Sequence, residues 1–454
     1  MAISKAPIAQ VVLLGFICFG CPGMFNAVNS LGAGGGTDPT TGSNANAALY
    51  TTFALFGLFG GAINNILGPR IQMFVGGLTY SLYIGASLNN DVSGGAAGPA
   101  GAKAFFIIAG AILGVGAGLL WSSQGALIMA YPTEEKKATY FAVFWIIFNL
   151  GSVFGNTVGL ILNFNNPDVA ISNGTFGAFI GITVLGASCA LLLADPKTVV
   201  RADGTPVEVI TQGNILAEAI EVLKLFGNWR LLLMAPCFIA SNYFYPYQYG
   251  MINGHFYNVR SGSFNAIFYW AFQALGSYVI SKFLDNEKWS RHTRSRVGLA
   301  IVFIGNAALW IGAIVYQQTA FNDVAPGTPL GKTRVDLFGT PGQTHPAMWG
   351  ITIMYILMAA LDAMFQSYAY WIMGALTNDY ATLSRYGGFY KGLQSLGAAV
   401  SWIVGGVVGA SAWTQLIITV VLVIGSLPIA YATVNSVKDT SKADDEASKA
   451  AAKA

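Results

Sequence analysis

Twelve stretches of about 20 mostly apolar residues follow one another along this chain, separated by short charged or turn-rich breaks. Their approximate cores are 8–31, 46–66, 71–89, 104–130, 139–162, 175–194, 231–254, 264–284, 297–318, 348–375, 388–410 and 413–434. Each is long enough to carry a helix across a bilayer. Only 9% of the 454 residues are charged and 54% are hydrophobic, against about 25% charged in a soluble domain. No water-soluble fold of this size hides so much apolar surface, so the chain reads as an all-α membrane protein with twelve transmembrane helices. Its principal partner is the lipid bilayer.

Charge sets the orientation. With residue 1 on the cytoplasmic side, all but four of the 23 Lys and Arg residues fall on inside segments, the exceptions being Lys103, Arg260, Lys332 and Arg334. Positive charge favours the cytoplasmic face, which predicts a multi-pass protein with both termini cytoplasmic. The host membrane, plasma membrane or endomembrane, is not specified. A sequon at Asn173-Gly174-Thr175 falls in an outside loop of this topology and makes Asn173 a candidate glycosylation site. The amino-terminal segment enters an apolar run of full spanning length without a cleavage site, as expected of a retained first helix.

Several function classes are disfavoured. The basic residues form no face that tracks phosphates, so no nucleic acid partner is expected. The four cysteines, Cys18, Cys21, Cys189 and Cys237, all lie in apolar stretches, which argues for packing over disulfides or metal. No nucleophile elbow, zinc-binding HExxH or phosphate loop is present, and His255, His292 and His345 sit at membrane edges or in loops. The expectation is a non-enzyme without cofactor or metal.

The longest inside segment divides the spans six and six. It suggests an N-terminal bundle (1–194), a cytoplasmic linker (195–230), a C-terminal bundle (231–435) and a disordered tail (436–454). Within the linker, Thr205-Pro206-Val207-Glu208 reads as a capping box. It is followed by Ile215, Ala219, Ile220, Leu223 and Phe226 at helical spacing, predicting an amphipathic helix. The halves echo each other: Gly23-Met24-Phe25-Asn26 against Gly250-Met251-Ile252-Asn253, and Asn149-Leu150-Gly151 against Ser395-Leu396-Gly397. Two parallel six-helix repeats are the signature of one large transporter architecture.

Three blocks sharpen this: GCPGMFNAVNSLGAGG in span 1, WSSQGALIMAYPTEEKKATYFAVFWIIFNLGSVFGN over spans 4 and 5, and LDAMFQSYAYWIMGALTND followed by RYGGFYKGLQSLGAAVSW. Together they resemble the Unc-ninety-three-like branch of the major facilitator superfamily, in its fungal form, over essentially the whole chain. The resemblance implies the major facilitator fold and transport of a small molecule or ion by alternating access. Some animal relatives instead resemble trafficking chaperones or channel regulators, which leaves a membrane-protein partner as the alternative. The loop GGAINNILGPR is similar to the superfamily's conformational signature. Gly60, Gly68 and Arg70 hold recognisable positions, but Asn64 stands where aspartate is usual, which weakens any charge-based latch there. Asp285 with Arg291 and Arg294 is a candidate counterpart after span 8; a topology-setting cytoplasmic charge cluster explains these residues equally well.

In the superfamily spans 1, 4, 7 and 10 line the cavity. On those spans this chain carries Asn26 and Asn29, Trp121 and Gln124, Asn242, Tyr245, Tyr249 and Asn253, then Asp362, Gln366 and Tyr370. Asp362 is the acidic residue nearest the middle of a span. An ionised carboxylate there costs on the order of 3 kcal/mol, so it should face the bundle interior or water, as a candidate proton-coupling group or as a structural carboxyl bonded to neighbouring helices. Gln366, Tyr370 and Tyr355 share its helix face. The prolines Pro22 and Pro246 kink spans 1 and 7 and free backbone carbonyls. Interhelical hydrogen bonding would explain each amide and phenol singly; their concentration on four related spans favours a site. Lys391 enters span 11 near its cytoplasmic end and is expected to snorkel outward. A cavity of amides, phenols and one carboxyl without buried Lys or Arg suits a neutral or cationic solute.

Overall fold

The structure is a computed structural model that describes residues 5–30, 38–165, 172–207, 209, 214–321, 335–339 and 347–441. Glu208, Lys332, Arg334, His345 and the tail beyond Ser441 lie outside the described residues. The first half comprises α1 (Pro7–Gly20), α2 (Pro22–Ser30), α3 (Pro39–Leu67), α4 (Pro69–Val92), α5 (Ala100–Ala130), α6 (Lys137–Asn163) and α7 (Asn173–Cys189). A short α8 (Ile215–Lys224) precedes the second half. That half comprises α9 (Trp229–Ala240), a π-helical turn at Pro246–Gly254, α10 (Val259–Leu284), α11 (Arg291–Tyr316), α12 (Ala347–Leu376), α13 (Tyr380–Trp402) and α14 (Ala412–Asn435).

Counting α1 with α2, and α9 with the π-helical turn, these make twelve spans in two sets of six. Among the described residues, eight are individually long and apolar enough to cross a membrane. Polar side chains lower the hydropathy of the others: α13 carries buried Arg385, Lys391 and Gln394. Prolines break the first span of each half. Pro22 opens α2 after Cys21, and Pro246 opens the π-helical turn. Lipid replaces water as the outer solvent, so Leu55, Ile108, Leu185, Ile304 and Val421 stand exposed on helix faces.

Small residues set how closely the helices pack. Gly110, Gly114 and Gly118 recur every four residues along α5, and a Cβ on them would meet Ala45 O at 2.4 Å, Leu49 O at 2.1 Å and Gly57 N at 2.7 Å of α3. The halves meet in the same manner, Gly57 and Gly61 of α3 lying against Gly392 and Ser384 of α13. Gly68 (φ +76°) makes the turn between α3 and α4, a backbone conformation that suits glycine.

Cross-half contacts close both ends of the bundle. At the end bearing the termini, Lys136 pairs with Glu287 (2.5 Å) and Glu134 with Arg291 (3.1 Å). At the opposite end Asn253 Nδ2 donates to Ser30 O (3.3 Å) and Arg260 Nη1 to Phe164 O (2.7 Å).

Two sequence expectations change here. The linker helix does not start at Thr205-Pro206: Pro206 bridges Val200 across a tight turn, and α8 begins at Ile215 under an Asn214 cap that accepts from Ala217 N (2.7 Å). The turn at 201–204 holds Arg201 N to Thr205 O at 2.8 Å, and the Thr205 hydroxyl donates to Asp203 Oδ1 (2.6 Å) instead of capping a helix. Span 11 starts at Tyr380, capped by Asp379, eight residues before the expected 388. This moves Lys391 about 12 Å further along the helix than predicted.

Candidate functional site

Between the halves lies a cavity of about 60 Å³. Half of its 18 lining residues are aromatic, including Phe25, Tyr50, Trp121, Trp145, Phe148 and Trp270, and its polar groups are Asn26, Asn242, Gln366, Lys391 and Gln394.

The proline breaks place the polar groups of spans 1 and 7. The turn after α9 brings Asn242 and Tyr245 to the wall, and Pro22 brings Asn26. Tyr245 stacks on Tyr249 at 5.0 Å. In α13, the early helix start puts Lys391 and Gln394 in the middle of a 23-residue helix, where they share a face at i and i+3.

Lys391 is buried and turned into the cavity, which corrects the expectation that it snorkels outward. Its Nζ donates to Gln394 Oε1 (2.7 Å) and sits 4.5, 5.1 and 5.5 Å from the rings of Trp121, Tyr390 and Tyr370. The reason is the helix start: with α13 beginning at Tyr380, the side chain is too deep to reach the end of the span. The expectation of a cavity free of buried cations, and the neutral or cationic solute inferred from it, fall with it.

Asp362 is also buried, but the wall of this cavity does not include it. Its carboxyl lies one side chain behind, accepting from Gln273 Nε2 (2.5 Å), Gln366 Nε2 (2.8 Å) and the Tyr245 hydroxyl (3.1 Å). Tyr245 and Gln366 line the cavity and separate the carboxyl from it. Gln273 in turn accepts from Trp145 Nε1 (3.1 Å) of the other half.

A directed chain joins the two ionisable groups. Lys391 donates to Gln394, Gln394 Nε2 donates to Gln366 Oε1 (3.1 Å), and Gln366 Nε2 donates to Asp362 Oδ1. An ammonium only donates and a carboxylate only accepts, so the two ends fix the direction of both amides.

The other expected cavity residues are spread around this centre. Asn26, Trp121, Asn242, Tyr245 and Gln366 line the cavity. Asn29 is turned to α3, where it accepts from Asn46 Nδ2 (3.1 Å). Gln124 accepts from the Tyr370 hydroxyl (2.9 Å), joining α5 to α12 below the cavity wall. Tyr249 packs against Tyr269 and Trp270, and Asn253 belongs to the closure opposite the termini. These residues hold helices together instead of forming the wall.

The conformational-loop residues meet at the terminus-bearing end. Asn64 donates to the Tyr380 hydroxyl (2.8 Å) and Ser384 Oγ (3.0 Å) and accepts from Ser123 Oγ (2.8 Å), a neutral tie across the halves. Gly60 packs on Ser122, and Arg70 donates to Leu193 O. Asp285 receives the amides of Ala138 (3.1 Å) and Thr139 (2.6 Å), so it caps α6 of the other half. Arg291 pairs with Glu134, and Arg294 donates to Trp289 O (2.9 Å). Asn173 is exposed in the first turn of α7. The four cysteines are free.

Sequence reasoning misplaced Lys391 and missed Gln394 and Gln273. The cap at Asp379 and the proline-free run from Tyr380 to Trp402 were the available signals for the first two. Nothing local marks Gln273.

The model of the Major Facilitator Superfamily matches residues 11–323. UNC93-like protein 1 of Arabidopsis thaliana is 41% identical over 88% of this chain and 83% of its own length. An UNC93-like protein of Schizosaccharomyces pombe is 38% identical over 87% and 76%. Among solved structures, the proton:xylose symporter XylE aligns over 96% of this chain and 97% of its own with a TM-score of 0.60 at 14% identity. The transporter FucP aligns over 94% and 98% with a TM-score of 0.59 at 12% identity. The twelve-span, two-half architecture and these matches agree: the chain belongs to the major facilitator superfamily, in its UNC93-like group.

Proposed function

We propose that this chain is a secondary active transporter that moves a small solute by alternating access and couples it to protons through Asp362. Its halves, 1–194 and 231–435, rock about the central cavity, tethered by the linker 195–230, with both termini in the cytoplasm. The observation that carries this reading is the position of the Asp362 carboxyl. It is held by Gln273, which accepts from Trp145 of the opposite half, and is linked through Gln366 and Gln394 to Lys391 on the cavity wall.

A proton on Asp362 removes the charge that the three donors serve, and hydrogen bonds to a neutral acceptor are weaker than those to a carboxylate. The hold of Gln273 on Trp145, and of Gln366 on Gln394, loosens with it. Protonation at one atom is thereby felt at the cavity wall and across the half-to-half interface, which is what coupling requires.

The test is uptake by the purified chain in proteoliposomes with and without an inward proton gradient. The reading expects gradient-stimulated uptake that Asp362→Asn abolishes. Uptake of every solute at the level of empty liposomes, with another membrane protein co-purifying, would instead make the chain a non-transporting regulator or chaperone.

A further inference from the structure

We propose that the cavity binds a monocarboxylate with a flat apolar body, its carboxylate paired with Lys391; the inference rests on the cavity being the solute site.

Lys391 is 3% exposed, yet its ammonium has one hydrogen-bond acceptor, Gln394 Oε1. Three N–H donors need partners. The remaining side of the group faces the rings of Trp121, Tyr370 and Tyr390, which attract a cation through their π faces but accept no conventional hydrogen bond. Among the described residues no carboxylate lies within ion-pair distance of Lys391, and Asp362 reaches it only through two amides. A buried cation without a counter-charge is costly, and a carboxylate entering the cavity supplies both the charge and the missing acceptors.

The rest of the wall describes the remainder of the ligand. Phe25, Trp145, Phe148 and Trp270 offer flat apolar faces. Asn242 Oδ1 is buried without a donor and accepts one N–H or O–H from the solute. Among the described residues Lys391 is the single cation on the wall, so a dianion would leave one charge uncompensated, while a neutral polyol would leave the ammonium as it is.

Thermal stabilisation and calorimetry on the purified full chain decide the matter. The probes are indole-3-acetate, phenylacetate and 4-hydroxyphenylacetate, each beside its amide and the corresponding amine. At least one carboxylate should bind about tenfold or more tighter than its amide and amine. Lys391→Met should lose that preference, and Lys391→Arg should keep it. If Lys391→Met does not fold, the carboxylate, amide and amine comparison in the unaltered chain decides alone. Equal affinity within every trio, or no carboxylate binding in the panel, overturns the proposal. A carboxylate that binds by these criteria while uptake of every solute stays at the level of empty liposomes would sink the transporter reading and leave this one standing. A neutral solute moved in an Asp362-dependent way would do the reverse.

Discussion

Lys391 of α13 and Asp362 of α12 make no direct contact; Gln394 and Gln366 join them, donor to acceptor, in a single direction from ammonium to carboxyl. Buried polar networks of this kind stand or fall as a unit, because removing one member leaves its neighbours unsatisfied where water cannot replace it.

Gln394→Leu is therefore expected to do more harm than its size suggests. It leaves Lys391 without its acceptor and Gln366 Oε1 without its donor, at about 1–3 kcal/mol for each stranded group. The midpoint of thermal unfolding in detergent should fall by several degrees, and proton-stimulated uptake should drop while Gln394→Glu retains the fold. An unchanged midpoint in Gln394→Leu would show that the chain of amides carries no energy.

Asp362→Asn separates binding from coupling. The amide keeps the size of the carboxyl and one acceptor, but it neither charges nor discharges. Solute exchange across the membrane without a gradient should persist, whereas accumulation driven by a pH difference should vanish. Gradient-driven accumulation by Asp362→Asn at the unaltered rate would remove Asp362 from the mechanism.

Glu218 of α8 is fully buried beneath the bundle. It accepts from Arg385 Nε (2.9 Å) and Nη2 (3.1 Å) of α13 and from Asn65 Nδ2 (3.0 Å) of α3, tying the linker helix to both halves. Removing one member of a buried pair costs about 3–5 kcal/mol, while replacing both with apolar residues is often neutral. Arg385→Met should open the terminus-bearing end, read as a longer spin-label distance between α3 and α13 there, and Glu218→Met with Arg385→Met should restore stability. Equal distances in Arg385→Met and the unaltered chain would exclude the latch.

Glu134 fastens the C-terminal segment. Burial works against its ionisation, but the Ser441 hydroxyl (2.6 Å) and amide, Arg291 and Asn378 (2.6 Å) outweigh it and hold the carboxyl down at about 2. The folded value lies below the ordinary one of about 4.3, so the contribution is full above that pH and is lost as the pH falls through about 2. Amide hydrogen exchange of residues 436–441, corrected for intrinsic rate, should be alike at pH 7 and pH 5 and faster at both in Glu134→Gln. A marked loosening of the unaltered chain between pH 7 and pH 5 would contradict this.

The sequence by itself determined the solvent, the number of spans and the polar residue types inside them. Each depends on local composition and length: an apolar run of about 20 residues must be lipid-spanning wherever its neighbours go, and Asp362 at mid-span must face protein or water. Helix breaks at Pro22 and Pro246 were legible for the same reason. Which polar groups meet was decided by the tertiary structure alone. A helix rises about 1.5 Å per residue, so Lys391 lies too deep to reach the end of its span once α13 begins at Tyr380, and its ammonium sits on the cavity wall instead. The link from Trp145 through Gln273 to Asp362 spans three helices and two halves, and no spacing along the chain encodes it. Small residues let these helices approach, Gly276 of α10 lying against the Ala360 backbone of α12.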